Sequence, residues 1–242
     1  MTTATMTPPP ATDAPPEPLT PPERLLRIAG ALSPGQRVTI DPVTWEEYEG
    51  LMDAREAAGR HFRLTYDQGS LEIMPTSNLH ERLKKILALL IEGWLDETGG
   101  RYLSSGGLTI RRPDRQRGFE PDECYYVQNW AKVKGLGEID FTSHPPDLTV
   151  EVEVSRTAAP RLPVFAGLNI PEVWRYDGER LTVLLLDPAG VYLPSTVSRA
   201  IPNFPFTEAP RFLTMAATED HGTISREFRT WVRALPPAAP PA

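Results

Sequence analysis

The sequence predicts an α/β fold in which a central mixed β-sheet is flanked by helices, on three observations. Helical and strand patterns interleave along the chain instead of segregating into halves. The segment Leu148 to Val154 alternates apolar and polar side chains and is followed by a short helix and another strand, as in a crossover unit. The segment Leu79 to Thr98 repeats apolar residues at helical spacing and must lay that stripe on something.

The elements follow in order. Residues 1–21 are rich in Pro, Thr and Ala with almost no aliphatic side chains, so they bury too little apolar surface to offset their conformational entropy and are expected to be a disordered tail. Residues 22–235 are expected to form one domain, and 236–242, all Pro and Ala, a second disordered tail. Pro22 to Gly30 predicts a helical turn or two. Thr44 to Arg60 predicts a helix with Thr44 as N-cap and Glu47 three residues on, the capping-box spacing. Phe62 to Tyr66 and Ser70 to Met74, joined by Asp67-Gln68-Gly69, predict a hairpin. The long helix is expected to open on an Asn78/Glu81 capping box and to stop at Gly99-Gly100. Strands are then expected at Leu108 to Arg111, Glu123 to Val127, Leu148 to Val154, Val173 to Tyr176 and Leu181 to Leu186, with a helix over Leu162 to Leu168. Pro202 to Arg233 reads as a Pro-rich entry into a helix whose Phe228, Trp231 and Val232 pack back onto the domain.

With 242 residues, 40% hydrophobic and 24% charged, the chain has the make-up of a globular protein with one sizeable core. Its longest apolar run, Ile86 to Ile91, is far too short to cross a bilayer, so no membrane association is expected. A single cysteine, Cys124, allows no internal disulfide, which suits a reducing compartment, and the expected location is the cytoplasm. The net charge of −7 argues against nucleic-acid binding through bulk electrostatics. A local basic patch is still compatible with it.

Two acidic motifs carry chemistry. In Asp147-Leu-Thr-Val-Glu-Val-Glu-Val154, Leu148, Val150, Val152 and Val154 share one face, and Thr149, Glu151 and Glu153 the other. If the second face is open to water, the glutamates mean nothing. If the strand is interior and covered, two carboxylates there need a metal, a positive charge or water to compensate their desolvation. In Glu120-Pro-Asp-Glu-Cys-Tyr-Tyr-Val127, Asp122 opens a strand; alone, Pro-Asp is equally a common turn. The order Pro-Asp and then, about thirty residues later, Glu-x-acid is that of the restriction-endonuclease-like nucleases. Hard oxygen ligands of this kind, with the Val152 carbonyl, would suit Mg2+, which would polarise a phosphoryl group and acidify an attacking water.

The chain resembles the Uma2-type endonucleases, a bacterial family of the restriction-endonuclease-like superfamily. The resemblance rests on Leu64-Thr-Tyr-Asp-Gln-Gly-Ser-Leu-Glu-Ile-Met74, His80-Glu-Arg-Leu83, Gly118-Phe-Glu-Pro-Asp-Glu-Cys-Tyr-Tyr126, Pro146-Asp-Leu-Thr-Val-Glu-Val152 and Pro171-Glu-Val-Trp-Arg-Tyr-Asp177, in order over roughly Thr44 to Leu235. It implies a restriction-endonuclease-like core with metal-binding acids at Asp122 and Glu151 and with Mg2+, or Mn2+ in its place, as cofactor. Glu153 stands where the superfamily often has lysine, and close relatives bring a lysine from the following helix. Here that position holds Arg161, which can neutralise a phosphate but stays protonated and cannot readily serve as a base.

Glu72, in the outgoing hairpin strand on the face of Ser70 and Met74, matches a recurrent acid of the family; it is either a third carboxylate of the site or a surface glutamate. His80 opens the long helix, where it could touch a phosphate or simply lie at the surface. The run Arg111, Arg112, Arg115, Arg117 is either a phosphate-tracking loop or a solvated one. Lys84 and Lys85 read as a solvated face, and Cys124 as packing. The expected function is therefore Mg2+-dependent cleavage of DNA through Glu72, Asp122, Glu151, Glu153 and Arg161, with a homodimer as the expected assembly. The alternative is a nuclease-fold protein that binds DNA or protein with cleavage weakened or lost. There is no Gly-rich phosphate loop, nucleophile elbow or zinc-spaced Cys/His cluster to suggest other chemistry.

Overall fold

The computed structural model describes residues 18–154 and 161–236; the expected tails fall almost entirely outside them. Along the chain the elements are α1 (Pro21–Ala31), β1 (Val38–Ile40), α2 (Trp45–Ala57), β2 (Arg63–Asp67), β3 (Ser70–Met74), α3 (Asn78–Thr98), β4 (Leu103–Ser104), β5 (Ile110–Arg112), β6 (Arg117–Phe119) and β7 (Glu123–Tyr126). They continue with α4 (Trp130–Val133), β8 (Leu148–Val152), α5 (Leu162–Gly167), β9 (Glu172–Tyr176), β10 (Leu181–Leu186), β11 (Tyr192–Ser195), α6 (Ala209–Thr214) and α7 (His221–Arg233). A single 3-10 turn, Pro113–Arg115, joins β5 to β6.

The expected mixed sheet is present with six strands in the order β11-β10-β9-β8-β7-β4; only the β8–β9 pair is parallel. β8 is interior, as its crossover context predicted. A second sheet accompanies it, β1-β3-β2-β6-β5, all antiparallel. Its hairpin register is set by Gln68 and Gly69, both at positive φ (49° and 103°), the pairing that a tight two-residue turn requires between right-twisted strands.

Three apolar clusters hold the layers together. One lies between α3, α6, α7 and one face of the six-stranded sheet, and takes in Leu148, Val150 and Val152. A second lies between α1, α2 and the five-stranded sheet, through Leu64, Tyr66, Leu71 and Ile73. The third joins Ile110 and Phe119 to α5 and to Val173, Leu184 and Tyr192. Each sheet therefore has one face on helices, and side-chain alternation turns the other face of β2, β3 and β8 towards the space between the sheets. Arg63, Glu72 and Glu151 are on those faces.

Two helix starts differ from expectation. α1 is three turns long because Thr20 and Glu23 close a capping box ahead of Pro21, so ordered structure begins before the expected boundary at residue 21. α3 is capped by Ser77, whose hydroxyl accepts from the His80 amide at 3.2 Å, and not by Asn78. The Thr44/Glu47 box of α2 is formed as the spacing predicted.

Candidate active site

Four elements converge where the second faces of the sheets meet. Asp122, between β6 and β7, is 1% exposed. Its Oδ2 accepts from the Val152 amide at 2.7 Å, which ties the Pro-Asp turn to the end of β8. Its Oδ1 lies 2.6 Å from His80 Nε2 in the first turn of α3 and 2.9 Å from Arg63 Nη1 on β2. Burial alone would push the Asp122 carboxyl up; Arg63, the His80 hydrogen bond and the Val152 amide outweigh it and hold the group well below the usual carboxylate range. Because an ionised carboxylate can only accept, His80 Nε2 donates.

Glu151 is also 1% exposed. The Asp122 amide reaches its Oε1 at 3.3 Å, Arg63 Nη2 lies 3.2 Å from Oε2, and Arg161 Nη1 3.1 Å from the same oxygen. Its carboxyl is nevertheless pushed up, by burial first and by the neighbouring Asp122 charge, beyond what the two arginines return. Glu72 accepts from Arg161 Nε at 3.0 Å and Nη2 at 2.6 Å, and lies 3.5 Å from Arg37 Nη1, just ahead of β1. Arg161 therefore points inward and links Glu72 to Glu151 across the two sheets.

Glu72, Asp122, Glu151, Arg161 and His80 are thus brought together. Glu153 is not part of this contact set: it pairs with Arg175 of β9 at 3.0 Å. Arg112 is buried outside this contact set, its guanidinium held two-pronged by Asp114 across the 3-10 turn. Of the remaining run, Arg117 pairs with Asp67, Arg115 donates to the Gly167 carbonyl, and Arg111 stands half-exposed beside Glu49 at 3.5 Å. Cys124 is packed, its thiol pushed up to about 12 by burial.

Arg63 and Arg37 are the members that sequence reasoning missed. The register contained a signal: Thr65 pairs with Glu72 and Arg63 with Met74, so Arg63 shares the face assigned to Glu72. Thr39 also pairs with Glu72, which puts Arg37, two residues earlier, on the same side.

The oxygen donors of Asp122 and Glu151 suit a hard divalent cation, but their arrangement does not fit one. Arg63 already bridges the two carboxylates, and it is held there by a further hydrogen bond to the Glu120 carbonyl. Arg37, Arg63 and Arg161 answer Glu72, Asp122 and Glu151 charge for charge. Among the described residues no group of three or more His, Cys, Asp or Glu side chains is placed to hold a metal ion.

A cleft of about 760 Å3 opens beside this cluster. Arg60, Lys84 and Arg111 line it together with Asp53, Glu56 and Glu81, and Arg63 reaches from its wall to the buried acids. A smaller cavity of about 410 Å3 lies on the far side of Thr76, which borders both.

Two sheets that enclose a Pro-Asp acid and an interior-strand glutamate define a nuclease-type α/β core. The chain belongs to the Uma2 family: the family model, described as "Putative restriction endonuclease", matches residues 45–218. Among solved structures, it is similar to the crystal structure of a "putative nuclease belonging to DUF820" from Anabaena variabilis ATCC 29413, at 15% identity over 79% of this chain and 99% of that one, with a TM-score of 0.45. No curated protein matches. No helix among the described residues is long and apolar enough to cross a membrane.

Proposed function

We propose that this chain is a cytoplasmic nuclease that takes the phosphodiester backbone of DNA into the larger cleft and hydrolyses a bond at the Asp122–Glu151 cluster. The supporting observation is that Arg63 lines the cleft and touches both buried acids, so a strand held by Arg60, Lys84 and Arg111 lies beside the cluster. The same cleft carries Asp53, Glu56, Glu81 and Glu120, so backbone contacts would come from individual cations and not from a net basic wall. Arg63 and Arg161 would stabilise charge building on the phosphate, a role guanidinium groups fill well. The Mg2+ or Mn2+ that the family resemblance implies is not assigned a step, because Arg63 holds the position between the acids. One site addresses one strand, so a homodimer is the assembly this reading favours for cutting both.

The occupied acid pair also supports a second reading, a nuclease-fold protein that binds DNA without cutting it. A fluorescein-labelled duplex incubated with the protein in Mg2+, in Mn2+ and in EDTA separates the two. Shortened strands on a denaturing gel are expected for the nuclease. Full-length strands that are bound and never cut in any metal support the second reading, and a duplex neither bound nor cut removes both.

A further inference from the structure

The smaller cavity contains a feature the cluster does not use. Arg37 packs with its side chain only 8% exposed, yet its Nε and Nη1 have no hydrogen-bond partner among the described residues. The acid paired with it among the described residues, Glu72, is 3.5 Å away and already receives two bonds from Arg161. A buried guanidinium with unmet N–H groups is costly unless an anion completes it. Around it the cavity is lined by Pro34 and Gly35 ahead of β1, by Met74 and Val152, and by Ser77, Leu79 and His80 at the N-terminus of the 21-residue helix α3. The Ser77 cap satisfies the His80 amide and leaves the Asn78 and Leu79 amides, the first of the helix, without an intrahelical acceptor. The positive end of the helix dipole adds to the same field. Burial, with the neighbouring Arg161, lowers the Arg37 pKa, and the Glu72 and Glu153 carboxylates offset this only in part.

We infer that Arg37 and the first turn of α3 form a phosphate-binding subsite, separate from the acid pair and reached past Thr76. A planar guanidinium and the first turn of a helix lining one cavity supply donors of the kind that match the oxygens of a phosphate group. The identity of the source, a backbone diester or a terminal phosphomonoester, rests on the nucleic-acid reading above; the phosphate chemistry does not.

Calorimetric titration of the full chain with inorganic phosphate at low salt reads the subsite without turnover. Wild type is expected to bind, and Arg37→Met to bind at least roughly tenfold more weakly, the loss of a charge-assisted pair. Leu79→Glu is the companion variant: Leu79 is half-exposed at the cavity rim, so the fold is retained while a carboxylate opposes the anion. It should weaken phosphate binding similarly. Fluorescence anisotropy then distinguishes the sources. A 5′-phosphorylated oligonucleotide that outbinds its hydroxyl-ended twin only when Arg37 is present assigns the terminal group. Equal affinity for the two, with a salt slope shallower by about one in Arg37→Met, assigns the diester. Wild type that takes up no phosphate at on the order of 10 mM overturns the inference. So do variants that bind phosphate as wild type does and differ only in melting, since Arg37 is then a structural counter-ion of Glu72. Phosphate binding that depends on Arg37 in a protein that never cuts DNA would contradict the nuclease reading and leave this subsite standing.

Discussion

Replacing Arg63 by methionine removes the one cation among the described residues that touches both acids of the site. Arg63 lies 2.9 Å from Asp122 Oδ1 and 3.2 Å from Glu151 Oε2, and both carboxylates are 1% exposed. Removing one partner of a buried ion pair costs about 3–5 kcal/mol, because the remaining charge cannot recover its hydration. Here each acid keeps a second partner: Asp122 has His80 and the Val152 amide, and Glu151 has Arg161 and the Asp122 amide. The expected loss for Arg63→Met is therefore near the lower end, about 3 kcal/mol. The two acids would then face each other without the bridging cation, the arrangement a divalent ion takes. Mn2+ at one hundred times its dissociation constant would return about 2.7 kcal/mol to the variant. Urea denaturation followed by tryptophan fluorescence measures both quantities, since Trp45, Trp94 and Trp174 are buried. The reasoning fails if Arg63→Met unfolds at the wild-type urea concentration, or if Mn2+ raises the wild-type midpoint as much as the variant's.

The opposed shifts of the acid pair fix the sign of its pH dependence. Glu151 has a raised folded pKa, so the stability it contributes is present when it is protonated and is lost as pH rises through that value; Asp122 is depressed, so its contribution is present above the ordinary carboxylate range, about 3.9, and is lost as pH falls. Wild-type stability should hold or rise on moderate acidification from pH 7 and fall steeply only at strongly acid pH, and Asp122→Asn should flatten that acid limb in denaturation curves. Away from the site, Glu172 accepts from Trp174 Nε1 at 2.6 Å, from the Ser198 hydroxyl, and from the Arg199 and Ala200 amides at 2.8 and 3.0 Å. Glu172→Ala strands those buried donors and should cost about 3 kcal/mol, seen as a melting temperature lower by roughly 6–12 °C; an unchanged melting curve would remove its structural role. In the cleft, the double charge reversal Arg60→Glu, Lys84→Glu should weaken duplex binding by at least roughly tenfold and flatten its salt dependence by about two phosphate contacts, measured by anisotropy at several salt concentrations. DNA affinity that ignores the reversal would remove the cleft from the account.

The fold was legible wherever the physics is local. Gln68-Gly69 announces a turn that needs positive φ, the α3 stripe announces its own packing face, and the alternation in β8 places Glu151 on the opposite face to Val150. The second sheet was legible only in its β2–β3 hairpin and in β5, because β1 and β6 have three residues each, too short to show a period. The acids of the site could be read because carboxylates on a covered strand demand an explanation. Their partners could not: Arg37 and Arg63 look like ordinary surface charges in one dimension, and only the register of β1, β2 and β3 turns them onto the face of Glu72. Arg112 shows the converse, a basic run that looked like a phosphate contact but is bound to its own turn by Asp114.

The most direct test of the account compares wild type with Glu151→Gln for conversion of supercoiled plasmid to nicked circles, with metal and salt matched. Glutamine is the variant of choice because burial already pushes the Glu151 carboxyl towards its neutral form, so the fold should survive, as far-ultraviolet circular dichroism would verify. The account predicts nicking by wild type and a rate lower by at least about a hundredfold in the variant, the scale for losing one charge-placing group in an active site. Equal nicking rates in the two folded proteins would contradict it.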